Sequence, residues 1–424
     1  MPAGMRRFTR STQERHEEAG RFHSWGLREV PLKDPSTSFD ALVLNGRSRG
    51  GLAVSRSLGQ SGYAVAVATK GRPSRFATER VEFPTIAVDV DRFVDELVAW
   101  LKDHRTDVIM TSSDIGVTTL AEARDRIERT SAVGLAASDA LSVAVSKWAT
   151  LARAAAAGVP VPRSLPVSSP GDAVIAAQEI GFPCVFKPDR SWRGRGSNTK
   201  RVRPLLVSDI DEVRMVATRH VRREAPALVQ EFAQGRRETI MLFQASGGVL
   251  ARFAMSVSRT WPPLGGNSVM RTSVRPPEDC LSYAERLVAE IGLDGYSEIE
   301  FRRTLDGSPL LMEVNPRFSQ SIELALRSGV DFAAMQLEWA RGGRLPEATG
   351  YRVGVRLSWV EAELFLLVAS WLGRPRPAPS PKAAIVDLVR DYIPPPHLDG
   401  LVAGDPLPAF SRFRPSLKEF KLQA

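Results

Sequence analysis

The chain has 424 residues, with 57 Lys and Arg against 48 Asp and Glu, a formal charge of +9, 43% apolar residues and 25% charged. Those proportions sit near globular averages and, with 32 Gly and 30 Pro, exclude a disordered, collagen-like or linker-dominated chain. At roughly 100–200 residues per domain, the length predicts two to four domains, each with its own core. Cys184 and Cys280 have no second Cys or His at ligand spacing, and His16, His23, His104, His220 and His397 are scattered. Disulfide frameworks and Cys- or His-based metal sites are therefore not expected, which leaves oxygen donors for any metal.

Residues 1–38 are basic at the start, lack an apolar core of the secretory kind and show no periodicity, so they read as a poorly ordered extension of a cytoplasmic protein. Strand, Gly-rich turn and helix follow in Ala41 to Leu44, Asn45 to Gly51 and Leu52 to Gln60. Tyr63 to Ala68 and Val108 to Thr111 add strands, and Phe93 to Lys102 an amphipathic helix, so residues 39–137 predict an open parallel sheet of Rossmann-like type. GxGxxG is absent, and the Gly-rich turn reads as a tight βα turn, with an anion site at the helix start as the alternative. Ser113 and Asp114 fall at the carboxyl edge of the sheet, where helix capping explains them.

Ser138 to Ala157 reads as one Ala-rich helix stopped by Gly158, Pro160 and Pro162. A helix at Asp172 to Ile180 precedes a strand at Cys184 to Pro188, which enters a basic loop, Arg190 to Asn198. Strands are expected at Ala227 to Phe232, Thr239 to Gln244, Val249 to Val257 and Tyr296 to Arg302, giving this half α+β character. The apolar stretch Val353 to Leu372 contains Arg356, Glu361 and Glu363, so it predicts a buried helix rather than a membrane span. A Pro-rich connector and a segment without assigned chemistry complete residues 347–424.

The most informative segment runs from Ser297 to Arg317. Asp306-Gly307 between two alternating runs predicts a hairpin with a two-residue turn, pairing Leu305 with Ser308 and Glu300 with Glu313. Asn315 then shares the Glu313 face. Opposed carboxylates invite a cation, and carboxylate and amide oxygens suit Mg²⁺; an acidic exposed hairpin is the alternative. Lys187 stands before the loop containing Arg190, Arg193, Gly194, Arg195, Gly196 and Ser197, where glycines and cations favour phosphate, although GxxxxGK[ST] is absent.

In this order the pieces resemble the ATP-grasp superfamily, nearest its carbamoyl-phosphate-synthase-like and carboxylate–amine ligase branch, over roughly residues 138–330. The motifs are Ser146-Lys147-Trp148-Ala149 followed by Ala157-Gly158-Val159-Pro160-Val161-Pro162; Phe186-Lys187-Pro188; Gln230-Glu231-Phe232 with Glu238; and Glu300, Glu313, Asn315 and Arg317. The resemblance implies a Rossmann-like pre-ATP-grasp domain (39–137) and a two-lobed ATP-grasp domain (138–346). It implies that Lys147 and Lys187 contact ATP phosphates, with Gly194, Gly196 and Ser197 in the phosphate loop. It implies that the backbone of Gln230, Glu231 and Phe232 receives adenine, that Glu238 binds ribose, and that Glu300, Glu313 and Asn315 hold Mg²⁺ (two ions, Mn²⁺ acceptable). Arg317 would contact the transition state or substrate. Arg259 and Arg271 would grip the γ-phosphate or an acyl phosphate, with surface arginines as the alternative reading. A Ser stands where Asp usually precedes Lys147, and the phosphate loop is unusually rich in Arg.

The implied activity is ATP-driven activation of a small-molecule carboxylate and its joining to an amine, with monomer and homodimer both left open. A bicarbonate-phosphorylating enzyme of carboxylase or carbamoyl-phosphate type and a non-catalytic ATP-binding module are the alternatives. No RNP-like motif, zinc finger or basic helix points to nucleic acid, and the surplus cations suit an anionic small molecule.

Overall fold

A computed structural model describes residues 38–193, 200–221, 226–263, 265–346, 348, 350–373 and 379–410. The first sheet is parallel throughout, in the order β3-β2-β1-β4-β5, from β1 (Ser38–Val43), β2 (Val65–Ala68), β3 (Glu79–Val81), β4 (Arg105–Met110) and β5 (Ala132–Val133). Helix Arg49–Gln60 begins where Ser48 Oγ accepts from the Gly51 N–H at 2.9 Å. Helix Val90–Asp103 buries Phe93, Val94, Leu97 and Leu101, one face at helical spacing.

A four-stranded antiparallel sheet follows, in the order β10-β7-β11-β6, from β6 (Ser164–Val167), β7 (Cys184–Pro188), β10 (Leu205–Val207) and β11 (Ala227–Glu231). Beside it, β8 (Trp192–Arg193) and β9 (Lys200–Arg201) form a short ribbon. The predicted helix at 138–157 is two helices, Ser138–Ala144 and Lys147–Ala156. The break comes at Ser146, which caps the second helix by accepting from the Ala149 N–H.

The largest sheet runs β16-β15-β12-β13-β14-β17-β18, from β12 (Arg236–Ala245), β13 (Gly248–Trp261), β14 (Asn267–Ser273), β15 (Gly295–Arg303), β16 (Pro309–Asn315), β17 (Arg356–Ser358) and β18 (His397–Leu398). Along β12, Ile240 and Leu242 pack toward Cys280 and Leu287 of helix Glu278–Ile291, while Met241 and Phe243 pack toward Phe332 and Leu337 of helix Phe332–Ala340. Both faces are therefore buried, and period-2 alternation decides only which layer each residue joins.

The sheet extends past residue 346, because β17 and β18 hydrogen-bond into it. Residues 397–405 also reach the first helix: Arg49 and Arg271 both pair with Asp399, at 2.7 and 2.6 Å, and Arg56 pairs with Asp405 at 2.9 Å. The expected buried helix near the C-terminus is Val360–Leu372, and only one side of it is covered. Phe365 and Leu366 pack with Trp261, whereas Leu364, Val368 and Trp371 are exposed. Among the described residues no helix is long and apolar enough to cross a membrane.

Candidate active site

Glu300 and Glu313 are direct cross-strand partners on β15 and β16, and Glu298 pairs with Asn315 beside them. The hairpin reaches that register by a route other than the predicted two-residue turn. Thr304 donates its N–H to the Ser308 carbonyl at 2.9 Å, and Gly307, at φ 90°, donates to the Thr304 carbonyl at 3.0 Å, so the loop holds three residues. Asp306 accepts from the Ser308 N–H at 3.2 Å and so favours this wider loop. The register then shifts by one residue between Phe301, opposite Leu311, and Glu300, opposite Glu313. Met312 is the extra residue of this bulge, and it restores the carboxylate pairing.

Alternation puts Glu298, Glu300, Glu313 and Asn315 on one face. Asn315 Nδ2 donates to Glu298 Oε1 and Glu313 Oε1, both at 3.4 Å, and Arg317 Nη2 donates to Asn315 Oδ1 at 3.0 Å. Arg317 Nε also donates to the Asp114 carboxylate, and Arg237 Nε lies 3.4 Å from Glu300 Oε2. Burial, together with the Glu300 charge, raises Glu298 well above the usual carboxylate range. Burial likewise lifts Glu300, against the opposing pull of Arg237. Glu313 would be lifted by burial too, but Lys147 and Lys187 hold it below its ordinary value. At Asp114 the Arg317 charge overcomes burial and keeps the carboxyl low.

The lysines arrive from a helix and from the second sheet. Lys147 opens its helix, anchored where Asp189 accepts from Ser146 Oγ and the Trp148 N–H, both at 2.9 Å. Asp189 thus supplies the carboxylate that Ser146 lacks. Lys147 Nζ donates to Ser191 Oγ at 3.4 Å. Lys187 sits on β7, where burial lowers its pKa to about 8 against the opposing pull of Glu313. A narrow cavity of 50 Å³ is lined by Asp114, Lys147, Arg190, Glu313 and Asn315. That volume suits an ion or a water rather than a nucleotide.

Hard oxygen donors with net negative charge fit a divalent cation, and Glu298 Oε2 is buried without a hydrogen-bond partner. Glu300 and Glu313 fit directly. Asn315 turns its NH₂ toward the glutamates and its oxygen toward Arg317, so it would have to rotate to become a ligand. Among the described residues no three His, Cys, Asp or Glu side chains form a ready metal-binding group.

Three expected contacts have other partners. Glu238 pairs with Phe301 across the sheet and is sealed on the opposite face, held by Arg236 at 2.6 Å and Arg303 at 2.8 Å, so it does not face the carboxylates. Arg259 is bound by Glu363, at 2.6 and 3.0 Å, and by Asp391. Arg271 is fully buried on Asp399 and serves as a core anchor. Gln230 is buried with its side chain donating to Ser164 Oγ at 2.8 Å, and the Glu231 N–H donates to the Arg163 carbonyl at 2.9 Å. Phe232 follows directly after β11. Gly194, Gly196 and Ser197 lie outside the described residues.

The Gly-rich turn is structural. The Gly50 N–H donates to Gln320 Oε1 at 3.3 Å, and a Cβ on Gly50 would stand 2.6 Å from the Ser319 carbonyl oxygen. Reasoning from sequence missed Glu298, two positions before Glu300 and thus on its face, and Arg237, and it read Asp114 as a cap alone.

Residues 224–363 match a family model described as ATP-grasp in the biosynthetic pathway with Ter operon. The carbamoyl phosphate synthase large chain of Deinococcus radiodurans is 27% identical over 175 residues, 39% of this chain and 16% of that protein. The chain therefore spans under a fifth of that relative's length. Among solved structures, a biotin carboxylase beta-gamma-ATP complex from Campylobacter jejuni aligns with TM-score 0.59 and 14% identity, over 75% of this chain and 74% of that one. An L-amino acid ligase from Bacillus licheniformis aligns with TM-score 0.55 and 15% identity, over 73% and 75%.

Proposed function

From the premise that this chain is a member of the ATP-grasp superfamily, we propose that it is an ATP-dependent ligase joining a carboxylate to an amine, with release of ADP and phosphate. The observation that carries this reading is the opposed pair Glu300 and Glu313, with Lys147 from the start of its helix and Lys187 from the second sheet close enough to hold Glu313 below its ordinary pKa. In the first step the carboxylate oxygen attacks the γ-phosphorus of ATP, the bond to the β-phosphate oxygen breaks, and ADP leaves. In the second the amine attacks the acyl carbon of the mixed anhydride, inorganic phosphate departs, and the nitrogen loses a proton.

Phosphoryl transfer asks a protein mainly for positioning and charge neutralisation. Lys147 and Lys187 offset the phosphate charge, and Arg317, fixed by Asp114 and Asn315, holds a guanidinium toward the same space. Mg²⁺ held by Glu300 and Glu313 would supply further neutralisation of the phosphates. The test is phosphate release from Mg²⁺-ATP with pooled acids and amines, followed by mass analysis of the product; ATP binding without substrate-stimulated turnover would refute a ligase. The sequence likeness to carbamoyl phosphate synthase favours a second reading, in which bicarbonate is the acid phosphorylated. Phosphate release that requires bicarbonate and no organic acid would select it.

A further inference from the structure

Away from the carboxylate cluster, the far end of the largest sheet carries a cleft of 510 Å³, walled by residues 352–356 on one side and residues 394–397 on the other. That volume lies within the range of roughly 300–1,000 Å³ usual for small-molecule sites. Four strand steps along the sheet separate β15 from β17, whose first residue, Arg356, lines the cleft. At about 4.8 Å per step this is about 19 Å along the sheet. The cleft shares no lining residue with the narrow cavity at Glu313.

Its titratable lining is basic throughout: Arg352, Arg356 and His397. Arg352 and Arg356 are oriented by backbone. Arg352 Nη2 donates to the Arg327 carbonyl at 2.5 Å, and Arg356 donates to the carbonyls of Asp391, at 3.1 Å, and Pro394. Among the described residues neither has a carboxylate partner, and the Asp391 side chain pairs with Arg259 and Arg390. Carbonyls orient an arginine without cancelling its charge. The neighbouring Arg327, on helix Ile322–Ser328, is neutralised by Glu323 at 2.7 Å and also reaches the imidazole. A guanidinium cannot accept, so His397 Nδ1 accepts from Arg327 Nη1 at 3.3 Å and the ring proton stands on Nε2. Burial and the charges of Arg327 and Arg352 hold His397 below its ordinary pKa, which keeps it a neutral donor.

Two positive charges without carboxylates are matched by a dianion, whereas a single carboxylate would offset only one of them. A phosphate monoester carries about −1.5 to −2 charges at neutral pH and three strong acceptor oxygens. Planar guanidiniums meet such oxygens with paired hydrogen bonds. We infer that this cleft is a second anion site, separate from the carboxylate cluster, and that it takes a small organic phosphate monoester. The phosphate lies on Arg352, Arg356 and the Nε2–H of His397, and the organic part lies against Val353, Pro394 and Pro395. An occupant there draws together helix Ile322–Ser328, β17 and residues 391–397, because each gives a carbonyl or a side chain to the same arginines or to the cleft wall.

The test uses the full chain with isotope-labelled histidine, followed by nuclear magnetic resonance. Phenyl phosphate is the dianionic probe and methyl phenyl phosphate its monoanionic counterpart of similar shape. The His397 signal is identified by its loss in His397→Gln. A saturable change in that signal, with the imidazole titrating at higher pH once phenyl phosphate is bound, supports the site. The diester should bind about tenfold more weakly or worse, for want of the second charge. Arg352→Gln and Arg356→Gln should each weaken phenyl phosphate by about tenfold or more, with thermal melting confirming that the variants fold. Lys187→Met, which alters the nucleotide machinery, should leave the affinity at His397 unchanged. Absence of a saturable change at His397, equal binding of the diester, loss of binding in Lys187→Met, or indifference to both arginine substitutions overturns the inference.

Discussion

Arg317, on the loop after β16, donates from Nε to the carboxylate of Asp114 at the start of helix Asp114–Glu122, a partner 203 positions earlier in the chain. The contact joins the parallel sheet to the carboxylate cluster, and it fixes a guanidinium that also donates to Asn315. Asp114→Ala should lower kcat by about a hundredfold through misplacement of Arg317. Stability should fall by about 1–3 kcal/mol for loss of a charge-assisted bond. Steady-state kinetics and urea unfolding measure the two effects, and an unchanged kcat would show that Arg317 needs no such orientation.

Glu313→Gln removes one of two opposed carboxylates and keeps the shape of the side chain. ATP turnover should drop by roughly a hundredfold or more, in keeping with the loss of a group that stabilises developing charge. Circular dichroism should be unaltered, because the substitution also relieves a like-charge pair. Near-normal turnover would remove the metal role assigned to this residue.

The pKa of Lys187, about 8, sets a pH window. Burial lowers it, so between pH 8 and the ordinary lysine value the unfolded chain carries the extra proton and this group's contribution to stability rises with pH. Over the same window the cation offered to phosphate is lost. MgADP affinity should therefore weaken by about tenfold, or 1.4 kcal/mol, as the pH climbs from 7 to 9.5. Lys187→Met should flatten that profile; a variant retaining the wild-type pH dependence would point to another group.

Asp399 is shared by Arg49 and Arg271, and all three side chains are buried. Asp399→Asn leaves both guanidiniums short of compensating charge and should cost about 3–5 kcal/mol, the range for breaking a buried ion pair. Denaturant unfolding measures this directly. A loss of ATP binding at full stability would instead restore Arg271 to the nucleotide site.

Local pattern carried much of the fold. The Glu300 and Glu313 pairing was legible because an Asp-Gly signal sat between two alternating runs, even though the loop is one residue longer and the bulge at Met312 makes up the difference. Arg259 and Arg271 were misread for the opposite reason. Their acids, Glu363, Asp391 and Asp399, lie 104, 132 and 128 positions away, and nothing near either arginine announces a partner. Glu238 was misplaced by parity: it resembles a site residue in its motif, but it alternates onto the face opposite Glu300.

The ties from Asp399 and Asp405 to the first helix also bear on how the molecule is assembled. Arg49 and Arg56 emerge from the ribosome early, while the acids that neutralise them are synthesised 350 and 349 residues later. Until then neither arginine has the carboxylate with which it pairs in the folded chain. Final docking of the first helix thus waits for the segment carrying Asp399 and Asp405, which acts as its latch.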